Sequence, residues 1–258
     1  MEENSLRIAN YNVSGGFYIG DESTEYLDRE AVDSIDNKLQ NQIINTINDE
    51  QIDIICFQEI ITTKEVGYLK AISDKTALKF YDYFELSECN IVKDTMCGIA
   101  GFSKYPLKCL KKELFPNPRL AKTTSSGNTY YTFDKGYMLC EIEKENDKVT
   151  VLTHHGFPYR RFDSTPEENP LVFSFFDNVI MDNNPDIVTG DFNADDFMGL
   201  MEKTNEKYQR TINAATKLDG KKFDDILVRK GVAYSSKIIQ LLSDHFMIVD
   251  TISGNLTK

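Results

Sequence analysis

Short apolar runs bounded by polar or turn-forming residues dominate the hydrophobic pattern of this chain. Runs of about 4 to 8 residues with such boundaries are typical of strands packed into a sheet. The runs that we predict to be strands cover residues 6–12, 52–58, 98–102, 137–142, 149–155, 187–189, 223–228 and 246–250. The run 52–58 is almost wholly apolar, so we expect it to lie at the centre of its sheet.

Two other segments place apolar residues at helical spacing. In the first, they recur every three or four positions, at Val32, Ile35, Leu39, Ile43 and Ile47. The second begins at Pro170, a residue that suits the first turn of a helix. Its apolar face carries Val172, Phe175, Phe176 and Val179. We therefore predict two amphipathic helices among the strands.

The order of these elements indicates one domain. We find no internal repeat, low-complexity tract or linker within the 258 residues, and a chain of this length can bury a sizeable core. Strands outnumber helices and alternate with them only in part. We therefore predict a single α/β domain over residues 1–258, built on two packed β-sheets.

The charge balance limits the partners that the surface can hold. The formal net charge is −12, which argues against a broad basic surface that grips duplex DNA through many phosphates. It does not exclude an enzyme that cleaves phosphate esters, because a bound cation can supply positive charge locally. No run reaches the ~20 apolar residues that a membrane-spanning helix needs.

The cysteines and the amino terminus bear on the compartment. The five cysteines form no CxxC pair, and Cys56 and Cys140 lie inside apolar runs. A zinc site or a disulfide framework is therefore not expected, and a reducing compartment is favoured. The acidic start lacks the apolar stretch of a secretory signal, although a mature secreted form would look the same. We expect a cytoplasmic monomer.

Polar residues gather where the predicted strands end. Strand ends and their loops are where rigid scaffolds usually present reactive groups. Any one of these residues alone is more often a turn former, but seven such positions in one chain favour a shared site. The positions are Asn12, Glu59, His155, Asp191 with Asn193, and Asp244 with His245.

Several of these positions fall in segments that resemble the ordered motifs of the DNase I-like endonuclease/exonuclease/phosphatase superfamily. Asn12 matches the opening motif, and residues 98–106 resemble the strand and turn that often follow the Gln-Glu motif. The other matching segments are 53–59 (DIICFQE), 190–195 (GDFNAD), 223–228 (FDDILV) and 243–245 (SDH). The resemblance implies a four-layer sandwich, with two sheets inside and helices outside.

The resemblance implies a metal-dependent phosphoesterase. Glu59 matches the metal ligand, and Asn12 and Asp244 match neighbours of the metal or its waters. A single carboxylate suits Mg²⁺ (or Mn²⁺), because Mg²⁺ usually keeps several waters and takes its other ligands from substrate phosphate. We therefore expect Mg²⁺ or Mn²⁺ as the cofactor.

Two adjacent histidines compete for one position in the resemblance. The segment 155–158 resembles the His-x-x-Pro of pancreatic-type DNase, whose histidine acts as a general acid. Adjacent residues of a strand point to opposite faces, so only one of His154 and His155 can face the site, and we favour His155. Glu88 could match the carboxylate that orients this histidine, or it could be a solvated loop residue.

The remaining motif residues have distinct implied roles. The resemblance gives His245 a place beside the scissile phosphate and gives Asp224 the role of orienting it. Such a carboxylate would fix the tautomer and favour the charged imidazolium. Asp191 would orient or deprotonate the attacking water, and Asn193 would donate hydrogen bonds to a phosphoryl oxygen. These roles suit in-line attack of water on phosphorus.

The resemblance favours DNA as the substrate, with Arg160 and Arg161 either contacting it or lying in a solvated loop. One departure weakens the likeness to a duplex cutter: pancreatic-type enzymes carry Arg two residues after the metal-binding Glu, and here that residue is Ile61. An alternative is a phosphoesterase for a lipid or small molecule, such as a phosphoinositide, sphingomyelin or a nucleotide. A catalytically silent binding module on the same fold is the alternative outside enzymes.

Overall fold

The computed structural model describes residues 5–18, 27–145 and 147–254. Two six-stranded mixed sheets form its centre, and a separate two-stranded hairpin lies apart from them. Each large sheet contains one parallel pair among antiparallel neighbours, which fixes where its strand ends meet.

The first sheet has the strand order β13-β14-β1-β2-β4-β3. Its strands β1 and β2 are parallel, and the other neighbours are antiparallel. The bounds are β1 Ser5–Asn12, β2 Ile54–Ile61, β3 Phe80–Glu88, β4 Met96–Ser103, β13 Ala233–Gln240 and β14 Phe246–Ser253.

The second sheet has the strand order β11-β12-β10-β9-β8-β5. Here β9 and β10 are the parallel pair. The bounds are β5 Leu107–Leu114, β8 Gly136–Lys144, β9 Asp147–His155, β10 Ile187–Asp191, β11 Tyr208–Arg210 and β12 Asp224–Arg229. The hairpin consists of β6 Ala121–Thr123 and β7 Thr129–Tyr131.

Helices cover the outer faces of both sheets. The α-helices are α1 Arg29–Val32, α2 Lys38–Asp49, α3 Tyr68–Lys75, α4 Pro170–Asn183, α5 Phe197–Leu200 and α6 Glu202–Lys207, and 3₁₀ turns span Lys64–Val66 and Tyr159–Phe162. None of the helices in the described ranges is long and apolar enough to cross a membrane.

Three apolar clusters show that the layers pack as a four-layer sandwich. One joins Ile43 of α2 to Phe57 on the outer face of the first sheet. A second lies between the sheets, where Ile54 and Val151 belong to the same cluster. The third joins the outer face of the second sheet to α4, which contributes Phe176. The predicted α/β sandwich of two sheets flanked by helices is confirmed.

Part of the predicted helix over 32–47 is wrong. Val32 ends α1, Ile35 lies in a non-helical stretch, and α2 begins only at Lys38. Asn37 marks the start of α2, because its side chain accepts a hydrogen bond from the backbone N–H of Gln40 and so caps the helix,. Helix α3, which packs Leu69 and Ile72 into the core, was not predicted.

Candidate active site

Strand register brings the motif residues to one edge of the sandwich. In the second sheet, Asp191 pairs with His155 on one side and with Asp224 on the other. In the first sheet, β1 ends at Asn12, and Glu59 lies two residues before the end of β2. The carboxyl ends of the parallel pairs and the beginnings of β12 and β14 therefore form one cleft. It encloses about 520 Å³.

A buried polar hub beneath this cleft joins the two sheets. The side-chain oxygen of Asn10 accepts hydrogen bonds from Gln58 (2.9 Å) in its own sheet and from Thr189 (2.8 Å) in the other. All three residues are fully buried, where a hydrogen bond is strong and an unpaired group is costly. The hub therefore fixes the relative position of the two strand edges that carry the site.

Left-handed backbone occurs at three non-glycine residues that line the cleft. The φ angles are 46° at Ser14, 54° at Glu59 and 53° at Asn193. At Glu59 the strand register also shifts between Gln58 and Ile60. A bulge of this kind redirects a side chain, and such conformations tend to cluster at functional sites. The bulge leaves the Glu59 side chain 36% exposed in an otherwise buried strand.

Asn12 holds two carboxylates near each other. Its amide nitrogen donates to Asp191 Oδ2 at 2.9 Å and lies 3.5 Å from Glu59 Oε1. Its oxygen accepts from the backbone N–H of Ser14 at 2.9 Å, which orients the amide. Glu59 and Asp191 also lie 3.4 Å and 3.7 Å from Nε2 of His155. Two carboxylates thus converge on the same part of the cleft.

These carboxylates suit a hard divalent cation. Burial, followed by the negative charge of Asp224, raises the pKa of Asp191 to about 7. A bound cation would offset that unfavourable charge, and Mg²⁺ prefers carboxylate and amide oxygens. Glu59 is half-exposed and so also reaches solvent, from which the ion's waters would come. The donor set therefore fits the predicted ion.

His245 and Asp224 form a buried pair on the opposite side of Asp191. Nδ1 of His245 is 2.8 Å from Asp224 Oδ2, and Nε2 is 3.9 Å from Asp191 Oδ2. Burial lowers the pKa of His245, but the charge and hydrogen bond of Asp224 outweigh burial and raise it to about 9. Asp191, Asp224 and His245 could by distance also surround an ion. A protonated imidazole would not bind a metal ion, so the carboxylates on the Glu59 side would suit one better.

Two lysines that the sequence analysis did not select contact the site histidines. Nζ of Lys135 lies 3.0 Å from Nδ1 of His155, and Nζ of Lys217 lies 2.7 Å from Nε2 of His245. Lys135 is 8% exposed, and burial lowers its pKa although Glu59 and Asp191 oppose the effect. Lys135 directly precedes β8, at the same sheet edge as the motif residues. This position is the sequence feature that could have identified it as a site residue.

The adjacent histidines point to opposite sides of their strand, as predicted. His155 faces the cleft, and burial followed by the Lys135 charge lowers its pKa well below the ordinary value. His154 faces the outer core, where its ring lies 4.4 Å from the ring of Phe176 and 4.2 Å from that of Phe192. Burial lowers the pKa of His154 to about 3. Among the described residues, His154 has no hydrogen-bond partner for either ring nitrogen.

Asp244 and Asn193 complete the polar lining. Asp244 accepts a hydrogen bond from Ser14 and pairs with Lys217. Burial raises its pKa, but the charges of His245 and Lys217 and these hydrogen bonds prevail and lower it to about 2. The Asn193 backbone N–H donates to Asp191 Oδ1 (2.8 Å), and its side chain donates to the Gly156 carbonyl.

The remaining predicted positions lie on the rim of the cleft. Arg160 is exposed and sits 3.4 Å from Asp195, whereas the neighbouring Arg161 forms no side-chain ion pair or hydrogen bond within the described ranges. Glu88 lines the cleft as well. In the part of the chain that the structure describes, no hydrogen bond joins Glu88 to His155, whose ring instead contacts Lys135.

Comparison with known proteins shows which family this sequence matches. A model of the endonuclease/exonuclease/phosphatase family matches residues 9–245, which includes all the cleft residues described above. A sequence comparison with curated proteins finds no match.

Solved structures share the fold at low sequence identity. An endonuclease/exonuclease/phosphatase protein from Bacteroides vulgatus is 16% identical, with a TM-score of 0.62 over 97% of this chain and 99% of that chain. A humanized TDP2 from D. rerio is 15% identical, with a TM-score of 0.60 over 97% and 99%. Sphingomyelinase C from Streptomyces griseocarneus is 14% identical, with a TM-score of 0.60 over 96% and 99%.

Proposed function

The chain belongs to the endonuclease/exonuclease/phosphatase family, and we propose that it is a divalent-metal-dependent phosphodiesterase that cleaves DNA as an endonuclease. The observation that carries this proposal is the convergence of Glu59, Asp191 and the charged His245–Asp224 pair in one cleft. An acidic cation site beside a buried imidazolium suits attack on phosphorus. In such reactions catalysis is mainly positioning and charge neutralisation.

We propose that Glu59 binds Mg²⁺ or Mn²⁺, with Asn12 and Asp244 as neighbours of the ion or its waters. When bound, such an ion polarises a phosphoryl oxygen and offsets negative charge. Asn12 already donates to Asp191 and lies beside Glu59. In this proposal Asn12 keeps both carboxylates directed toward the part of the cleft where the ion would bind.

Asp191 is the proposed residue for orienting or deprotonating the attacking water. A group with a pKa of about 7 is well matched to general-base work near neutral pH. The Asn193 backbone fixes one Asp191 oxygen. The Asn193 side chain keeps a second N–H, beyond the one given to Gly156,, that could be donated to a phosphoryl oxygen.

His245 and His155 have different proposed tasks. Charged His245, held by Asp224, would neutralise the charge that develops on the phosphoryl group. His155 would serve the leaving oxygen as the proton donor. Lys135 lies 3.0 Å from Nδ1 of His155 and its charge opposes protonation of the ring. We therefore assign the leaving-group side of the cleft to the His155–Lys135 pair rather than to His155 alone.

A substrate panel tests the proposal. The purified protein is assayed with Mg²⁺ or Mn²⁺, and with EDTA, against plasmid, single-stranded DNA, RNA, phosphoinositides and sphingomyelin. Plasmid nicking that requires the metal and is lost in His245→Ala would support the nuclease proposal. The variant also serves as a control, because a contaminating nuclease would still nick the plasmid. Turnover of lipid or small phosphoesters without nicking would assign the alternative substrate class. Absence of turnover on every substrate would favour the silent binding module.

A further inference from the structure

A wall of aromatic side chains borders the cleft on the side of the β6–β7 hairpin. Tyr130, Phe133 and Phe162 line the same cavity as Glu59 and His245. The Tyr130 and Phe162 rings lie 5.5 Å apart. Tyr130 is 39% and Phe133 46% exposed, so both present ring surface to whatever enters the cleft.

The wall is braced against the body of the protein. Lys122 of β6 pairs with Asp163 at 2.8 Å, which ties the hairpin to the turn that carries Phe162. At the base of the hairpin, Thr132 donates its backbone N–H to Leu120 and its hydroxyl to Asn117 (2.6 Å). These contacts hold the hairpin against the turn before any ligand binds, which limits the entropy lost on binding.

A cation is placed beside these rings. Arg161 precedes Phe162, lines the cleft and is exposed. Its guanidinium forms no ion pair or hydrogen bond across residues 5–18, 27–145 and 147–254. Its charge contributes to lowering the pKa of both Lys135 and His155, which puts it within electrostatic reach of the reacting groups. A free guanidinium next to flat rings suits a ligand that carries both a phosphate and a planar group.

We propose that Tyr130, Phe133 and Phe162 stack the bases of a single-stranded DNA segment next to the phosphate held in the cleft. This inference rests on the proposed nuclease function and specifies the form of its substrate. Base stacking on aromatic side chains is tolerant of sequence. It also contributes affinity without many cationic contacts, which suits a chain with a net charge of −12.

The polar tip of the hairpin favours nucleic acid over a lipid surface. A hairpin that inserts into a membrane presents its apolar residues at the tip, because the tip enters the bilayer first. Here residues 124–128 are Thr-Ser-Ser-Gly-Asn. Tyr130 on β7, Phe133 just after it and Phe162 on the 3₁₀ turn all lie away from this tip and line the cleft, so they would meet a substrate inside the cleft rather than a surface outside it.

Binding to two oligonucleotides of equal charge tests the stacking wall. Fluorescence anisotropy is measured in EDTA with a single-stranded DNA and with an abasic strand of the same length, which keeps the phosphates and lacks the bases. Stacking is worth about 1–3 kcal/mol per base, and 1.4 kcal/mol is tenfold. We expect the wild-type protein to prefer the normal strand by at least roughly tenfold, and Tyr130→Ala or Phe133→Ala to remove most of that preference while leaving abasic binding unchanged.

Tyr131→Ala is the matched control. Tyr131 lies on the same strand and is 62% exposed, but it does not line the cleft, so its removal should leave the preference unchanged. Thermal melting confirms that each variant is folded. Equal binding of normal and abasic strands by the wild-type protein would overturn the wall. The proposal would also be overturned if Tyr131→Ala lost the preference for the normal strand to the same extent. A preference for sphingomyelin vesicles over DNA that depends on Tyr130 would overturn it as well.

Cleavage of the two strands with Mg²⁺ separates the two proposals. If both strands are cut and Tyr130→Ala changes the cleavage rate of neither strand, the stacking proposal is overturned and the nuclease proposal stands. If neither strand is cut but the normal strand still binds better and depends on Tyr130, the nuclease fails and the wall remains as a base-binding surface.

Discussion

Asp224→Asn should remove the charge from His245 at neutral pH. The Asp224 carboxylate lies 2.8 Å from Nδ1 of His245 and is fully buried. Asparagine keeps the shape of the side chain but loses its charge. Burial and the nearby Lys217 charge, which both lower the pKa of His245, would then act without the main opposing effect.

The size of the change follows from the pKa of the imidazole. His245 has a pKa of about 9 against an ordinary value of 6.5. At about 1.36 kcal/mol per unit, this difference corresponds to about 3 kcal/mol in favour of the charged ring. If the variant returns to 6.5 or below, the charged fraction at pH 7.5 falls from nearly complete to about a tenth.

The sign of the pH dependence follows. Because folding raises the pKa of His245, the Asp224–His245 pair stabilises the fold fully below pH 6.5, and this stability is lost as the pH rises through about 9,. The activity that depends on charged His245 should decline over the same upper range in the wild type. In Asp224→Asn the decline should begin below pH 6.5, with a loss of roughly tenfold or more at pH 7.5.

Proton NMR of the histidine rings is the direct assay. The chain has three histidines, so the ring signals can be assigned with single substitutions. Asp225→Asn is the control, because Asp225 pairs with Arg210 rather than with His245 and should leave the His245 titration in place. A His245 pKa that stays near 9 in Asp224→Asn would refute the assignment of the charge to Asp224.

Four further outcomes are expected. Glu59→Gln should weaken Mg²⁺ or Mn²⁺ binding by calorimetry, and activity should vanish in EDTA and return with either ion; turnover in chelator would contradict the metal site. His155→Ala should lower kcat by ~10² or more, whereas His154→Leu, which keeps volume in the outer core, should cost much less; the reverse order would contradict the facing of the two rings. Lys135→Met should raise the pKa of His155 in the NMR titration, since a cation 3.0 Å from the ring is removed; an unchanged titration would show that the Lys135 charge does not lower this pKa. Duplex binding should depend weakly on salt, with a slope of roughly −2 to −3 for two or three contacted phosphates, and a slope near −8 would reveal a basic groove.

The positions of the candidate site residues could be predicted from the sequence to the extent that these residues end apolar strands. Asn12, Glu59, His155, Asp191 and His245 all follow or precede runs that the hydrophobic pattern marks as strands. The cleft lining includes Glu59, Asp191 and His245, and His155 lies within 3.7 Å of the first two. Their chemical roles remain proposals.

Lys135 and Lys217 were not selected by this reasoning, although Lys135 directly precedes β8. A lone lysine in a polar segment is usually solvated, and neither lies in a motif. Lys217 comes beside His245 only because its segment forms an antiparallel bridge with that residue. The aromatic wall was missed for the same reason, because Tyr130 and Phe162 are distant in sequence and meet only through the hairpin and the 3₁₀ turn.

The hydrophobic pattern of the sequence determined the inner strands of the two large sheets, whereas only the tertiary structure determined their edge strands. The eight predicted strands are the eight inner strands of the two large sheets, while the four edge strands β3, β5, β11 and β13 were not predicted. Inner strands have neighbours on both sides and apolar layers on their faces, so their sequences must be apolar. An edge strand has one neighbour and partial cover, and its mixed composition resembles that of a loop,. Register, the bulge at Glu59 and the pairing of distant segments decide which polar groups meet, because these depend on contacts between residues far apart in the chain.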